Sequence, residues 1–330
     1  MAEALSVHPW HQTAYRKLAS TVRSGFPHAL LITGAEGSGK SAFAQALAGL
    51  LLCSEPGAEG ACGQCRSCQL FCSGNHPDQV RVEPESAERP VIKVDQVRDL
   101  AGELVLSGQH SHRRVAIIDP ADRLNLQAAN SLLKTLEEPA AGVVLLLVAG
   151  RPGRLPATIR SRCQSLSLPV PTHEDGQAWL ESRGYDDAVA VLGMANGAPL
   201  RAIALAEESV AQQSDELATD LVALCRGQGS APSLATKWQA TGAGRVAALT
   251  AHFMADILRA KAAGPSATRA AASESLIRLV APLDWRVLYA YNDELVALRR
   301  ALEQPLNDTL ALERLFLGWR RALSGANKTG

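Results

Sequence analysis

Residues 34–41 read Gly34-Ala35-Glu36-Gly37-Ser38-Gly39-Lys40-Ser41, and four cysteines, Cys53, Cys62, Cys65 and Cys68, follow shortly after. The first group has the spacing G-x-x-x-x-G-K-S, in which glycines let main-chain N–H groups close around phosphate oxygens. The helix expected to follow adds the positive end of its dipole. Lys40 then reaches the outer phosphates and Ser41 ligates Mg²⁺. Gly34, Gly37, Ser38, Gly39, Lys40 and Ser41 are therefore candidate ligands for ATP or ADP. A glycine-rich turn that merely capped a helix would leave the Lys-Ser pair unexplained.

Hydrolysis asks for more. A carboxylate must hold Mg²⁺ and another group must usually activate water. The apolar run Val115-Ala116-Ile117-Ile118 ends in Asp119, the place for the first carboxylate. Pro120 stands where a catalytic Glu would follow. Asp122 is the nearest substitute, but a displacement of three residues carries a carboxylate away from the attacking water. The expectation is a chain that binds nucleotide and turns it over poorly on its own.

The cysteines are spaced C-x8-C-x2-C-x2-C. Four thiolates satisfy a tetrahedral zinc ion and leave no open position, which makes the metal structural, not catalytic. The loop 54–60 allows the chain to fold back so that Cys53 joins the other three. Disulfides are the competing reading; seven cysteines, an odd number, and the absence of a secretory leader weigh against them. Cys72 remains a possible substitute ligand. Cys163 and Cys225 read as small buried apolar residues.

Composition narrows the classes further. The chain has 330 residues, enough for two or three domains, and is 47% hydrophobic. Its 33 basic residues equal its 33 acidic ones, and aromatics make up 4%. A neutral balance argues against tight DNA binding by the lone chain, and so few rings make a base-stacking platform improbable. No apolar run reaches the roughly 18 residues of a membrane span, and a phosphate loop implies cytosolic nucleotide, so the expected location is cytoplasmic.

The elements that must position these residues alternate. Apolar stretches at 29–33, 79–83, 114–118, 143–149 and 164–168 read as strands, separated by helical patterns at 41–52, 94–107 and 123–138. Such alternation implies a parallel α/β sheet with the phosphate site at the strand ends. Pro169-Val170-Pro171 reads as a hinge, followed by three short helices in 173–206. Beyond them only helices are expected. Val246, Leu249, Phe253 and Ile257 form one apolar stripe, and Leu312, Leu315, Phe316, Trp319 and Leu323 another, with linkers at 227–233 and 264–274.

Several of these motifs together carry a resemblance. Residues 129–139, Ala-Asn-Ser-Leu-Leu-Lys-Thr-Leu-Glu-Glu-Pro, followed by Ser161-Arg162-Cys163, resemble the clamp-loader branch of the AAA+ ATPases. The four-cysteine insertion, Asn75-His76-Pro77-Asp78 and Asp119-Pro120-Ala121-Asp122 are similar to stator-type subunits of the bacterial DNA polymerase III loader. The likeness spans residues 8 to about 206; beyond that it rests on length and helical periodicity. It implies an AAA+ P-loop domain at 1–170 with a zinc insertion at 53–72. A helical lid at 171–207 and an all-α oligomerisation collar at 208–330 complete the implied architecture.

The resemblance also implies a role. Such subunits sit in a five-membered ring with gamma or tau and delta subunits, which opens a sliding clamp with ATP and leaves it on primer-template DNA. Arg162 would act as an arginine finger on ATP held by a neighbour. The plain alternative for Arg162 is a surface salt bridge. Pro9 and Trp10 correspond to a segment lining the adenine pocket. Active relatives carry an Arg where Leu200 stands here, and Arg201, one residue on, is turned by about 100° around its helix. Membership of the polymerase III holoenzyme, a nucleotidyltransferase complex, implies no polymerase site in this chain. The readings from other classes are a stand-alone P-loop ATPase or kinase and a zinc-ribbon nucleic-acid binder.

Overall fold

A computed structural model describes residues 3–22, 25–57, 59–86, 90–105, 113–264, 273–280, 283–302, 304 and 306–324. The chain separates into two compact units, residues 1–174 and 175–330.

The first unit begins with α1 (Gln12–Thr21), β1 (Ala29–Thr33), α2 (Lys40–Leu52) and α3 (Arg66–Cys72). It continues through β2 (Gln79–Val82), α4 (Val94–Val105), β3 (Arg114–Ile118), α5 (Leu126–Glu137), β4 (Val143–Ala149), α6 (Ala157–Arg160) and β5 (Gln164–Ser167). Among the described residues the five strands all pair in parallel, in the order β2-β3-β4-β1-β5. Strands β1, β3 and β4 are buried along their whole length, as a sheet covered on both faces requires. One face packs on α2 through Phe43, Leu47 and Leu50; the other packs on α4 and α5 through Leu100, Leu132 and Leu136.

The expected strands form with ends shifted by a residue at most. Helix α5 begins at Leu126, not at 123, because the Asn125 side chain accepts the N–H of Ala128 and caps it there. Residues 121–123 instead make a single 3₁₀ turn. Residues 106 and 107, expected to continue α4, lie outside the described residues.

Among the described residues the regular elements of the second unit are all helices: most of α7 (His173–Ser182), α8 (Asp186–Val191), α9 (Pro199–Glu207), α10 (Val210–Cys225), α11 (Ala231–Trp238), α12 (Ala243–Ala263), α13 (Ser273–Val280), α14 (Trp285–Ala301) and α15 (Asp308–Ser324). The linker expected at 227–233 is shorter, since Ser230 accepts the Ser233 N–H and starts α11 at Ala231. The linker expected at 264–274 falls largely outside the described residues. Both apolar stripes are core faces: Val246, Leu249, Phe253 and Ile257 are buried, as are Leu312, Leu315, Phe316 and Trp319. The Leu323 side chain lies outside the described residues. One hydrophobic cluster runs from Leu180 to Trp319, passing through the boundary expected at 207/208 without a break.

Candidate functional site

The phosphate loop connects β1 to α2, with its backbone bent at glycine. Gly39 caps α2 at φ 97°, a left-handed conformation that disfavours any side chain. A Cβ there would also lie 2.4 Å from the His8 ring. At Gly34, φ 153°, a Cβ would come within 2.6 Å of the Leu168 carbonyl oxygen. The Lys40 ammonium donates to the Ala35 carbonyl of the same loop at 2.7 Å. The Ser38 hydroxyl is fully buried and has no hydrogen-bond partner among the described residues, which suits a loop shaped to close on an outside ligand.

Asp119 comes from the end of β3, two strands from β1, with β4 between them. It is 8% exposed. Burial pushes its carboxyl pKa up against the lowering effect of the Ser41 hydrogen bond and the Arg81 and Lys40 charges. Arg81 Nη2 stands 3.6 Å from Asp119 Oδ2. Burial also lowers the Lys40 pKa, offset by the Asp119, Glu36 and Asp122 carboxylates. The fold thus gathers Gly34, Gly37, Ser38, Gly39, Lys40, Ser41 and Asp119 at one end of the sheet, a donor set that fits Mg²⁺-nucleotide.

Asp122 has other commitments. Its two carboxylate oxygens accept the N–H groups of Gly150 and Arg151 at 3.3 and 3.2 Å, pinning the turn after β4. A carboxylate occupied in this way is poorly placed as a base.

Two flanking residues carried no sequence signal. His8 stacks on Trp10 with ring centroids 4.7 Å apart and planes within 3°. Trp10 Nε1 in turn donates to the Ser38 carbonyl at 3.0 Å, so the Pro9-Trp10 segment does reach the phosphate loop. His11 is fully buried; its Nε2 bonds the Pro169 carbonyl at 3.1 Å and its Nδ1 has no hydrogen-bond partner among the described residues. Desolvation brings its pKa down to about 4. Only folding places residue 11 beside residue 169, so no local pattern announces it.

The cysteine cluster forms at the end of α2. The sulfurs of Cys53, Cys62, Cys65 and Cys68 all lie within 4.8 Å of one another, and Cys72 is not among them. Three of the separations are 3.6, 3.9 and 4.0 Å. A tetrahedron of sulfurs about 2.3 Å from a metal has edges of about 3.8 Å, so the four residues could hold one ion. Main-chain N–H groups of Cys62, Cys65 and Cys68 donate to the sulfurs of Cys53, Cys62 and Cys65, bonds that stabilise negative charge on thiolates. Burial opposes ionisation of Cys65, yet the Cys68 and Ser54 N–H groups outweigh it and bring its pKa to about 6. Every cysteine of the described chain is free of disulfides.

The Asn75-His76-Pro77-Asp78 segment ties this cluster to the sheet. The Asp78 N–H donates to His76 Nδ1 at 3.1 Å, which leaves the ring proton on Nε2 to meet the Ser67 hydroxyl at 2.7 Å. Ser67, between Cys65 and Cys68, donates to the Leu52 carbonyl beside Cys53 at 2.5 Å. Asp78 also lies 3.6 Å from Arg114 Nε, both groups being buried.

Arg162 lies between α6 and the start of β5, at the end of the parallel sheet opposite the phosphate loop that follows β1. Ile159 is fully buried before it and Cys163 packs on the same core after it, so the backbone is anchored on both flanks. Burial raises the Cys163 pKa to about 11. Arg162 Nη1 donates to the Thr158 carbonyl at 2.9 Å, and Nη2 lies 2.5 Å from Glu137 Oε1. The surface ion pair weighed as the plain alternative is thus what the single chain forms. Arg201 lines a cavity of about 380 Å³ with Met194, Gly244, Arg245 and His252, within the helical unit.

The parallel order β5-β1-β4-β3-β2, with a phosphate loop after β1 and an acidic residue after β3, defines the AAA+ class of P-loop domains. A family model described as "DNA polymerase III, delta subunit" matches residues 10–172. The DNA polymerase III subunit delta' of Pseudomonas aeruginosa is 41% identical over 237 residues, covering 70% of this chain and 71% of its own. The protein of the same name from Haemophilus influenzae is 36% identical, covering 63% of this chain and 64% of its own. That from Escherichia coli is 37% identical, covering 60% of each. A gamma subunit-related protein of Thermotoga maritima superposes over 94% of this chain and 99% of its own, with a TM-score of 0.43 and 17% identity. At that score it adds nothing to the assignment. The chain belongs to the delta prime subunit family of bacterial DNA polymerase III.

Proposed function

We propose that this chain is the stator-type subunit of the polymerase III clamp loader, acting in ATP-dependent loading of the sliding clamp onto primed DNA. Its neighbours are gamma or tau and delta subunits, and it meets clamp and primer-template DNA through the assembly. Arg162 enters the neighbour's nucleotide site as an arginine finger, a device that elsewhere contributes ~10³ to 10⁵ in rate. Its own phosphate loop holds ATP or ADP with Mg²⁺ and turns it over poorly. The four cysteines hold structural Zn²⁺.

The observation that carries this reading is the contrast at the sheet end. The chain's own site has a full phosphate loop but Pro120 beside Asp119, and Asp122 spends both oxygens on the turn at Gly150 and Arg151. The same binding commitment counts against a stand-alone ATPase or kinase. The neutral charge balance counts against a zinc-ribbon nucleic-acid binder. A lid at 171–207 and a collar at 208–330 are supported by the run of helices that follows residue 172, where the family model ends. Leu310 and Leu317 of α15, 64% and 43% exposed, supply apolar surface for neighbours.

Reconstitution of the loader with Arg162→Ala tests the trans role. The variant assembles, and hydrolysis at the facing site falls ~10³-fold under stimulation by clamp and primed DNA. Unchanged stimulated hydrolysis refutes the finger.

A further inference from the structure

Glu137 closes α5 and Arg162 follows α6, so two motifs distant in sequence meet at one side-chain contact of 2.5 Å. The pair is open to water, with the side chains 37% and 50% exposed. An exposed ion pair of that kind contributes little to folding, too little to explain it as a stability device. What it does change is the freedom of the arginine. A lone arginine side chain samples many rotamers, and that freedom is given up when the fork seats on a phosphate. Here Nη1 is engaged by the Thr158 carbonyl and Nη2 by Glu137, so the guanidinium plane is set before any neighbour arrives. Of the five N–H donors of a guanidinium, two are used and three are left for an oxyanion.

We propose that Glu137 is a positioning residue for Arg162: its carboxylate aligns the guanidinium for the phosphates of nucleotide bound in an adjoining subunit. This rests on the trans role proposed for Arg162. Glu137 touches no substrate and takes no part in proton transfer. Its effect is on the orientation of the donor, which is felt when charge develops on the transferring phosphoryl group.

The test uses the assembled loader and follows ATP hydrolysis stimulated by clamp and primed DNA. Glu137→Ala lowers kcat at the facing site ~5-fold with KM for ATP altered less than ~2-fold. Glu137→Gln, which keeps an acceptor oxygen at the same reach, recovers more than half of the loss. In the Arg162→Ala background, Glu137→Ala has no further effect, as a residue acting through Arg162 requires. Three results overturn the proposal: a wild-type kcat for Glu137→Ala, a higher one, or an equal loss in the Arg162→Ala background. Arg162→Ala alone separates the two ideas, since its failure to slow hydrolysis removes the finger itself, and a loss there with Glu137→Ala silent removes only the positioning role. Unaltered thermal melting and assembly of each variant exclude a folding defect.

Discussion

The phosphate loop and the Arg162 corner lie on one domain and are built on opposite principles. The loop is closed on itself: Lys40 bonds a loop carbonyl, Trp10 bonds Ser38, and His8 covers Gly39. The corner is open, held by a carbonyl and an exposed carboxylate that water can displace. A group buried among its own partners binds well and responds slowly, whereas an exposed, weakly paired cation can change partners at little cost. The first arrangement suits retention of nucleotide and the second suits action on someone else's.

The sharpest way to break this comparison is Arg162→Ala, expected to cost ~10³-fold in hydrolysis at the facing site of the loader. If instead Lys40→Ala produces the larger loss, the chain's own site is the active one and the contrast inverts.

Next in size is the cysteine cluster, which braces α2 and therefore the loop. Cys62→Ser is expected to release zinc and lower the unfolding free energy by several kcal/mol, because metal-binding energy is folding energy. Metal analysis of the purified protein together with thermal melting checks both halves. Native protein without zinc removes the assignment.

A smaller effect concerns the packing behind the loop. His11 is held neutral at about 4, well below the usual histidine value of about 6.5. Its folded pKa is depressed, so the unfolded chain takes up a proton first as pH falls. Stability is therefore full above pH ~6.5 and declines between ~6.5 and 4, by on the order of 2 kcal/mol. Protonation would also place a second ring N–H in a buried spot without an acceptor. Melting curves across that window should flatten in His11→Gln; an unchanged slope means that other groups titrate.

The smallest expected change is at Asp122. Asp122→Asn should leave nucleotide turnover by the isolated chain unaltered and weaken folding by about 1 kcal/mol through the turn after β4. A clear drop in turnover would restore Asp122 as a base and make the two regions more alike than the geometry suggests.

Much of this was legible in the sequence wherever the determinants are neighbours in the chain. The G-x-x-x-x-G-K-S spacing, the cysteine intervals and the alternation of apolar strands with amphipathic helices depend on residues a few positions apart, so local stereochemistry specifies them. The same holds for the helical stripes at Val246–Ile257 and Leu312–Trp319, whose period alone marks a core face. Helix starts were less legible, since Asn125 and Ser230 act through single capping bonds that periodicity does not register.

By itself, then, the sequence determined the parallel α/β domain, the phosphate loop, the four sulfurs and the lack of a carboxylate next to Asp119. The tertiary structure alone decided that Asp122 is taken by Gly150 and Arg151, that His11 meets Pro169, that Cys72 stands apart from the cluster, and that Glu137 reaches Arg162. It also carried one apolar core from Leu180 to Trp319 across the 207/208 boundary that the resemblance implied. The physical reason is common to all of them. These contacts join residues whose proximity is set by sheet order and helix packing, and a side chain's partner is chosen by whatever the fold brings within about 3 Å of it.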